Sequence, residues 1–391
     1  MNDEESRKAL LFIYEKQRSI MPFKLIKFHK RKSGDIIDKR DLWAYNFNIK
    51  AQCAKILEVF MIQVENKSLT GYKFVDLFAG IGGFRIALES FGAQCVYSNE
   101  WDRYAQETYQ INFGEIPDGD ITKINEKTIP DHDILCAGFP CQTFSISGRQ
   151  QGFEDSRGTL FFDVARIVKE KMPKVVFLEN VKNFATHNGG NTLNVVKNTI
   201  LQLGYNFYYS ILNSVDYGIP QNRERIYMIG FRKDIDDQTF VFPKPFKLKK
   251  FVEDFLLTND EVRDLIIERE DLVLNDKAKN NENYTKTLRV GTVGKGGQGE
   301  RIYSPKGVAI TLSAYGGGIF AKTGGYLINE KTRKLHPREC ARIMGFPDSF
   351  KLNSNYNQAY KQLGNSVVVD VLQFITKQIG VVLNYEFNKI Q

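Results

Sequence analysis

Between Tyr72 and Gly230 short apolar runs alternate with amphipathic stretches, and that alternation predicts a parallel sheet with helices on both faces. Strands are expected over 74–78, 94–98, 133–137, 175–178, 205–212 and 226–231, with helices between them at 84–90, 104–112, 161–171 and 191–203. After Arg232 the pattern changes. Residues 244–282 are charged and are expected to be helical, whereas 291–325 hold eleven of the chain's 31 glycines and are expected to form strands, turns and loops. Apolar periodicity returns in 339–344 and in 367–378, the second a helix expected to follow a Gly-Asn-Ser turn and to fold back onto the core. Residues 1–70 stand apart, with an amphipathic stretch at 7–18 and a basic one at 24–40 that reads as a helical cap rather than a DNA-binding appendage.

Composition narrows the class. The 391 residues suffice for two domains, and 42% hydrophobic with 26% charged residues is ordinary for a soluble globular protein. No run of about 18 uncharged apolar residues is present to span a membrane. The acidic start, Met1-Asn2-Asp3-Glu4-Glu5, is unlike a secretory signal, so a cytoplasmic location is expected. Five cysteines (53, 95, 136, 141, 340) without a Cys-x-x-Cys, and four histidines, offer neither a disulfide framework nor a zinc site. The net charge of +8 suits a polyanionic partner only modestly. The local excess is sharper: residues 280–335 carry nine Lys/Arg against three Asp/Glu, on a glycine-rich segment suited to a loop-built surface.

The candidate chemistry lies at predicted strand ends, where open α/β sheets collect their ligands. Residues 138–145 read Gly-Phe-Pro-Cys-Gln-Thr-Phe-Ser and place a thiol, Cys141, after the strand at 133–137. A thiolate there is a nucleophile for an electron-poor carbon. Residues 76–84, Asp-Leu-Phe-Ala-Gly-Ile-Gly-Gly-Phe, form a strand, a glycine turn and a helix start. Glu100, twenty residues after Gly80, ends the next strand as an acceptor for ribose hydroxyls; Trp101 offers a face for adenine, and Asp120 an acceptor for its amino group. These residues indicate an adenosine-containing cofactor, and the lack of Gly-x-Gly-x-x-Gly argues against a dinucleotide. Glu179 ends another apolar strand and is placed for acid–base work. Arg223 and Arg225, at i and i+2 of an incoming strand, can hold an anion or a polarised carbonyl.

In this order and spacing, the motifs resemble the C5-cytosine DNA methyltransferases of the prokaryotic, restriction–modification type. The resemblance covers 71–232 and 335–378. It rests on 76–85, Glu100-Trp101, 119–121, 138–145, 179–181, 221–225, the run Arg-Glu-Cys-Ala-Arg-Ile-Met-Gly-Phe-Pro at 338–347 and Gln-Leu-Gly-Asn-Ser-Val at 362–367. It implies an α/β fold: a Rossmann-like class I S-adenosylmethionine-dependent methyltransferase core with a smaller DNA target-recognition domain. The expected division is an N-terminal extension (1–70), a catalytic and cofactor domain (71–240), the target-recognition domain (241–345) and a C-terminal segment returning to the core (346–391).

The resemblance also implies roles. Cys141 would add to cytosine C6, Glu179 would contact N3 and the amino group, Arg225 would hold O2, and no metal is needed. The S-adenosylmethionine pocket would comprise Phe78, Gly80, Gly82, Glu100, Trp101, Asp120, Ile121, Pro140, Leu160 and Asn365. The target base must be flipped out of double-stranded DNA, with a closing loop near 142–159. Ser145, Arg149, Arg223, Arg289, Arg301 and Thr311 are the expected DNA contacts, with Lys295 and Lys322 also in reach. A monomer is expected, with room for a cognate restriction endonuclease acting separately. Two alternatives remain at this stage. A tRNA cytosine methyltransferase of the same architecture would typically show Pro-Pro-Cys-Gln and Cys-Phe-Thr, both absent here. A silent DNA-binding regulator would be marked by loss of Cys141, Glu179 or Arg225, and all three are present.

Overall fold

A computed structural model describes residues 68–140, 160–236, 238–279 and 282–390. The first six strands are β1 (Lys73–Leu77), β2 (Gln94–Asn99), β3 (Ile134–Ala137), β4 (Val175–Val181), β5 (Tyr205–Asn213) and β6 (Glu224–Arg232). They form one sheet in the order β2-β1-β3-β4-β6-β5. Helices α1 (Gly83–Glu89), α2 (Arg103–Phe113), α3 (Leu160–Lys171) and α4 (Asn191–Gln202) connect them. Successive strand side chains alternate between two buried faces. Phe74, Ile134, Cys136, Val175 and Phe177 join one core with residues of α1, while Val75, Leu77, Leu135, Val176 and Leu178 join the other with residues of α3 and α4.

The expectation of a parallel sheet holds for β1–β4 only. Strand β6 runs antiparallel to both β4 and β5. The short stretch 214–223 between β5 and β6 contains no helix to carry the chain back across the sheet, and a parallel pairing needs such a crossover.

A second sheet follows, β7 (Val273–Leu274), β8 (Arg289–Thr292), β9 (Arg301–Tyr303), β10 (Gly325–Ile328) and β11 (Lys331–Lys334), ordered β11-β10-β9-β8-β7. Its own small core contains Leu288, Val290, Val293, Ile302 and Phe320. The helical expectation for 244–282 is incorrect. Apart from β7, the segment holds only short 3-10 turns at Val252–Phe255, Asn259–Leu265 and Asp276–Lys279. The segment is nonetheless pinned to the core at separate points, by Leu248, Val252, Val262 and Leu265, rather than along one continuous helix.

The chain then returns through α5 (Pro337–Ile343), α6 (Tyr356–Asn365) and α7 (Val369–Ile390). Helix α6 was not anticipated, and the Gly-Asn expected as a turn closes it instead. Gly364 is required there, because a Cβ would lie 2.3 Å from the Ala314 nitrogen. The span from Tyr356 to Asn384 is long and apolar enough to cross a membrane by length and composition, but 61% of its apolar window is buried in the protein. Leu372, Ile375 and Ile379 of α7 belong to the core that also holds Phe84 and Leu88 of α1.

The small sheet is tied to α5 by a buried ion pair. Arg333 donates to both Glu339 oxygens (2.8 and 2.7 Å), and Glu339 also accepts the amides of Leu257 (2.8 Å) and His336 (2.7 Å). Removing the acid strands a buried guanidinium and two amides. Glu339→Ala is expected to lower unfolding stability by about 3–5 kcal/mol, read from the urea midpoint at constant m-value.

Candidate active site

Glu179 is the fifth residue of β4 and lies on the same sheet face as Val175 and Phe177. Because β6 enters beside β4 from the opposite direction, Arg225 sits opposite Val181, two residue pairs beyond Glu179. The Arg225 Nε reaches Glu179 Oε1 at 3.1 Å, and Nη1 donates to the Glu224 carbonyl at 2.8 Å. Burial raises the Glu179 pKa, while Arg225 and Arg223 pull it down. The result is a carboxyl that holds its proton above the ordinary carboxylate range beside a fixed cation.

Next to it, β3 ends in Gly138-Phe139-Pro140. Asn180 donates through Nδ2 to the Phe139 carbonyl (2.9 Å), fixing the backbone that leads to Cys141. This anchor was not assigned from sequence; its signal is its place directly after the strand-end acid. Cys141, Ser145 and Arg149 lie outside the described residues. Among the described cysteines, burial pushes each thiol up: Cys95 to about 12, and Cys136 and Cys340 well above the usual range. None of those three is a thiolate at neutral pH.

The second half of the site is a cleft at the ends of β1 and β2. Phe78, Gly80 and Gly82 all have positive φ (55°, 57° and 87°), so the chain turns sharply before α1. Gly82 also needs the absence of a side chain, since a Cβ would lie 2.3 Å from the Phe113 ring. Glu100 closes the cleft floor: the Gly80 amide donates to one carboxylate oxygen and the Asp102 amide to the other, each at 2.8 Å. Burial raises the Glu100 pKa against the pull of these amides. Each oxygen keeps a further lone pair for a hydroxyl donor. Trp101 is 79% exposed, a flat ring beside the cleft with no core to fill. Asp120 accepts from the Thr122 amide and hydroxyl, which hold its carboxyl below the usual range, and Ile121 beside it is buried. Pro140 is exposed, and Leu160, half-buried, starts α3.

Asn365 ends α6, and α6 is bound to α2 on the cleft rim. Gln362 donates to the Tyr104 carbonyl (2.8 Å), Thr108 donates to Gln362 (3.2 Å), and Lys361 pairs with Asp102 (2.6 Å). Lys361 and Gln362 were not assigned from sequence.

The expected DNA contacts fare unevenly. Arg289, on β8, is exposed, and Arg301, on β9, is half-buried. Thr311 is exposed, and its hydroxyl donates to the Asn222 carbonyl. Lys322 is bonded to Asn357 (3.2 and 3.3 Å). Arg223 requires a correction. Its side chain is 2% exposed and donates to the carbonyls of Leu312, Gly364 and Ser366, so it does not face DNA. A separate cavity of about 610 Å³, lined by Tyr217, Phe246, Lys250, Asp370 and Phe374 among others, touches the 338–347 run at Arg342 and Phe346 but contains none of the candidate catalytic or cofactor residues and is not this site.

The sheet edge thus carries an acid closing the glycine turn and, at the ends of β4 and β6, an acid–arginine pair. The profile described as C-5 cytosine-specific DNA methylase matches residues 72–381. The chain belongs to that family and is a DNA cytosine-5 methyltransferase. It is 68% identical over 326 residues to the type II methyltransferase M.HhaI of Haemophilus parahaemolyticus, covering 83% of this chain and 99% of that protein. It is 44% identical over 315 residues to M.SsoII of Shigella sonnei, covering 79% and 80%. The solved S. pombe Dnmt2 methyltransferase shares the fold, with a TM-score of 0.57, 21% identity and coverage of 81% and 99%.

Asp76, on β1 beneath the glycine turn, is fully buried, with no hydrogen-bond partner on either oxygen. Burial raises its pKa from 3.8 to about 8. The folded protein keeps this proton after the unfolded chain has lost it, so the group costs stability progressively as pH rises from about 4 to about 8. Asp76→Asn removes that slope. Its unfolding midpoint relative to wild type is expected to be higher at pH 8.5 than at pH 6; a gap independent of pH would contradict the assignment.

Proposed function

We propose that the chain is the modification enzyme of a type II restriction–modification system, transferring a methyl group to C5 of one cytosine in a short DNA sequence. The observation that carries the residue assignment is the Arg225–Glu179 pair beside the anchored Phe139-Pro140 backbone that leads to Cys141. The relatives named type II methyltransferases support the biological setting. The reading includes a monomer acting in the cytoplasm, with any cognate endonuclease acting as a separate protein.

The cleft fits S-adenosylmethionine on three counts. Glu100 keeps free lone pairs for a ribose diol, Trp101 presents an otherwise unexplained exposed face to adenine, and the left-handed glycine turn lets backbone approach the ligand. When bound, this cofactor supplies an electrophilic methyl group. Phe78, Gly80, Gly82, Asp120, Ile121, Pro140, Leu160 and Asn365 complete the pocket.

Cytosine C5 is a weak nucleophile, and the residues here correct that. The flipped base lies between Cys141 and the Glu179–Arg225 pair. The Cys141 thiolate adds to C6, while the proton held by Glu179 is shared with N3 and offsets the negative charge entering the ring. Arg225 holds O2, where charge also accumulates. C5, now carbanion-like, would take the methyl group as its bond to sulfur breaks, leaving S-adenosylhomocysteine. Water then takes the C5 proton, Cys141 is expelled from C6, and the shared proton returns from N3 to Glu179, restoring the aromatic ring and the free thiolate. DNA is held by the small lobe, where Arg289, Arg301 and Thr311 stand on or beside its sheet, and by Ser145 and Arg149 from the loop after Cys141.

The test is expression in a host lacking cytosine methylation, followed by genome-wide bisulfite sequencing. Wild type is expected to methylate one short motif almost completely and Cys141→Ala none; soluble, cofactor-binding wild type that leaves DNA unmethylated would overturn the reading. Glu179→Gln, which has no acidic proton to share, should lower kcat by about 10²–10⁴-fold in single-turnover assays. Trp101→Ala should weaken S-adenosylhomocysteine binding by about 5–150-fold in calorimetry, the loss of one stacked base, without changing the melting temperature.

A further inference from the structure

Arg223 lies two residues before Arg225, and its guanidinium is spent where three distant segments meet. Nη1 donates to the Leu312 carbonyl (3.2 Å), and Nη2 donates to the Gly364 carbonyl (3.0 Å) and to that of Ser366. Segment 309–312 is laid along 220–223 by backbone bonds from Ala309 to the Pro220 carbonyl (2.7 Å) and from Asn222 to the Ala309 carbonyl (2.8 Å). The Thr311 hydroxyl adds a bond to the Asn222 carbonyl. Directly after it, the Ser313–Ala314 backbone lies so close to Gly364 that a Cβ at 364 would sit 2.4 Å from the Ser313 carbonyl carbon. One side of this junction runs on into the exposed glycine-rich loop at 315–319 of the small lobe, and the other carries Asn365 between the two carbonyls that Arg223 holds.

A buried cation surrounded by carbonyls, with no carboxylate bonded to it, is costly in desolvation and contributes little as a mere filler. Its geometry does something more specific. The planar fork fixes the direction of both donating nitrogens at once, so Leu312 cannot shift without disturbing Gly364 or Ser366. Arg225, on the same sheet face two residues on, shares the backbone that carries the fork.

We propose that Arg223 is a positioning residue that couples cofactor binding at Asn365 to DNA binding on the small lobe, by holding the strap at 309–314 and the α6 terminus on one rigid group. This rests on the assignment of those two surfaces made above. By linkage, DNA tightens the cofactor and the cofactor tightens DNA by the same factor. A lysine keeps the charge, but its three N–H donors radiate from one nitrogen and cannot reproduce two separated nitrogens fixed in one plane across both segments.

The coupling is read as the ratio of S-adenosylhomocysteine dissociation constants, by calorimetry, without and with an unmethylated duplex carrying the site mapped by bisulfite sequencing. Wild type is expected to show a ratio of about fivefold or more, within the usual range for coupled sites. In Arg223→Lys that ratio should fall below about twofold, while cofactor binding without DNA is preserved. A residue that only held the fold together would lower the melting temperature and weaken both ligands, leaving the ratio intact. Hydrogen exchange on wild type gives a second test that survives a misfolded variant. Amides at 311–314 should slow on adding S-adenosylhomocysteine alone, and those at 364–368 on adding the duplex alone. A wild-type ratio near one, an unchanged ratio in folded Arg223→Lys, or exchange confined to each ligand's own surface overturns the proposal. Wild type that binds neither ligand overturns instead the function on which it rests.

Discussion

Strand β6 enters the sheet against the direction of β4, and the active site depends on that reversal. A strand rises about 3.3 Å per residue. Were β6 parallel to β4, the residues that begin it would sit at the far edge of the sheet, roughly 20 Å or more from the ends of β3 and β4. The antiparallel entry instead delivers Arg225 opposite Val181 as the chain arrives, within 3.1 Å of Glu179. Three consequences follow from one hydrogen-bond register. Glu179 acquires a cation, the pair faces the turn leading to Cys141, and Arg223, just upstream, is carried into the junction with the returning C-terminal segment.

Around that register the buried charges divide by what surrounds them. Arg333 and Glu339 satisfy each other and two amides, which makes them a joint between the small sheet and α5. Glu100 is held by two amides yet keeps acceptor capacity toward the cleft. Glu179 is paired with Arg225 and feels Arg223 behind it, which together only partly offset its burial. Asp76 has only the nearby Arg85 charge and amide to offset its burial, and near neutral pH it remains protonated. Desolvation acts on all of them in the same direction. The neighbours decide how far that push is offset.

Much of this was legible along the chain. All six strands of the large sheet lie where the short apolar runs place them, and the residues Glu100, Glu179 and Arg225 stand near one edge because those runs fix where each strand begins or stops. What was not legible depended on partners distant in sequence. The direction of β6 follows from the absence of a crossover helix, which apolar runs do not report. Residues 244–282 read as helical by charge, but their buried side chains, Leu248, Val252, Val262 and Leu265, meet the core from short turns instead. Helix α6 was hidden because Gly364 and Asn365 read as a turn, and only the backbone of Ser313 and Ala314 explains why a glycine closes a helix there. Arg223 and Arg225 were equivalent on paper as i and i+2. Burial separates them, since one meets three carbonyls and the other a carboxylate.

The return of α6 and α7 to the large lobe also sets an order of events during synthesis. A ribosome releases β1 through β6, with every residue of the acid–arginine pair and the glycine turn, long before residues 356–384 exist. Until then α1 lacks the α7 side chains Leu372, Ile375 and Ile379 that share its core, Asp102 lacks Lys361, and Arg223 lacks the carbonyls of Gly364 and Ser366. A nascent chain with its chemical groups already translated is therefore still an open half-shell, exposing apolar surface that its last helices must cover. Competence therefore waits on the return of α6 and α7.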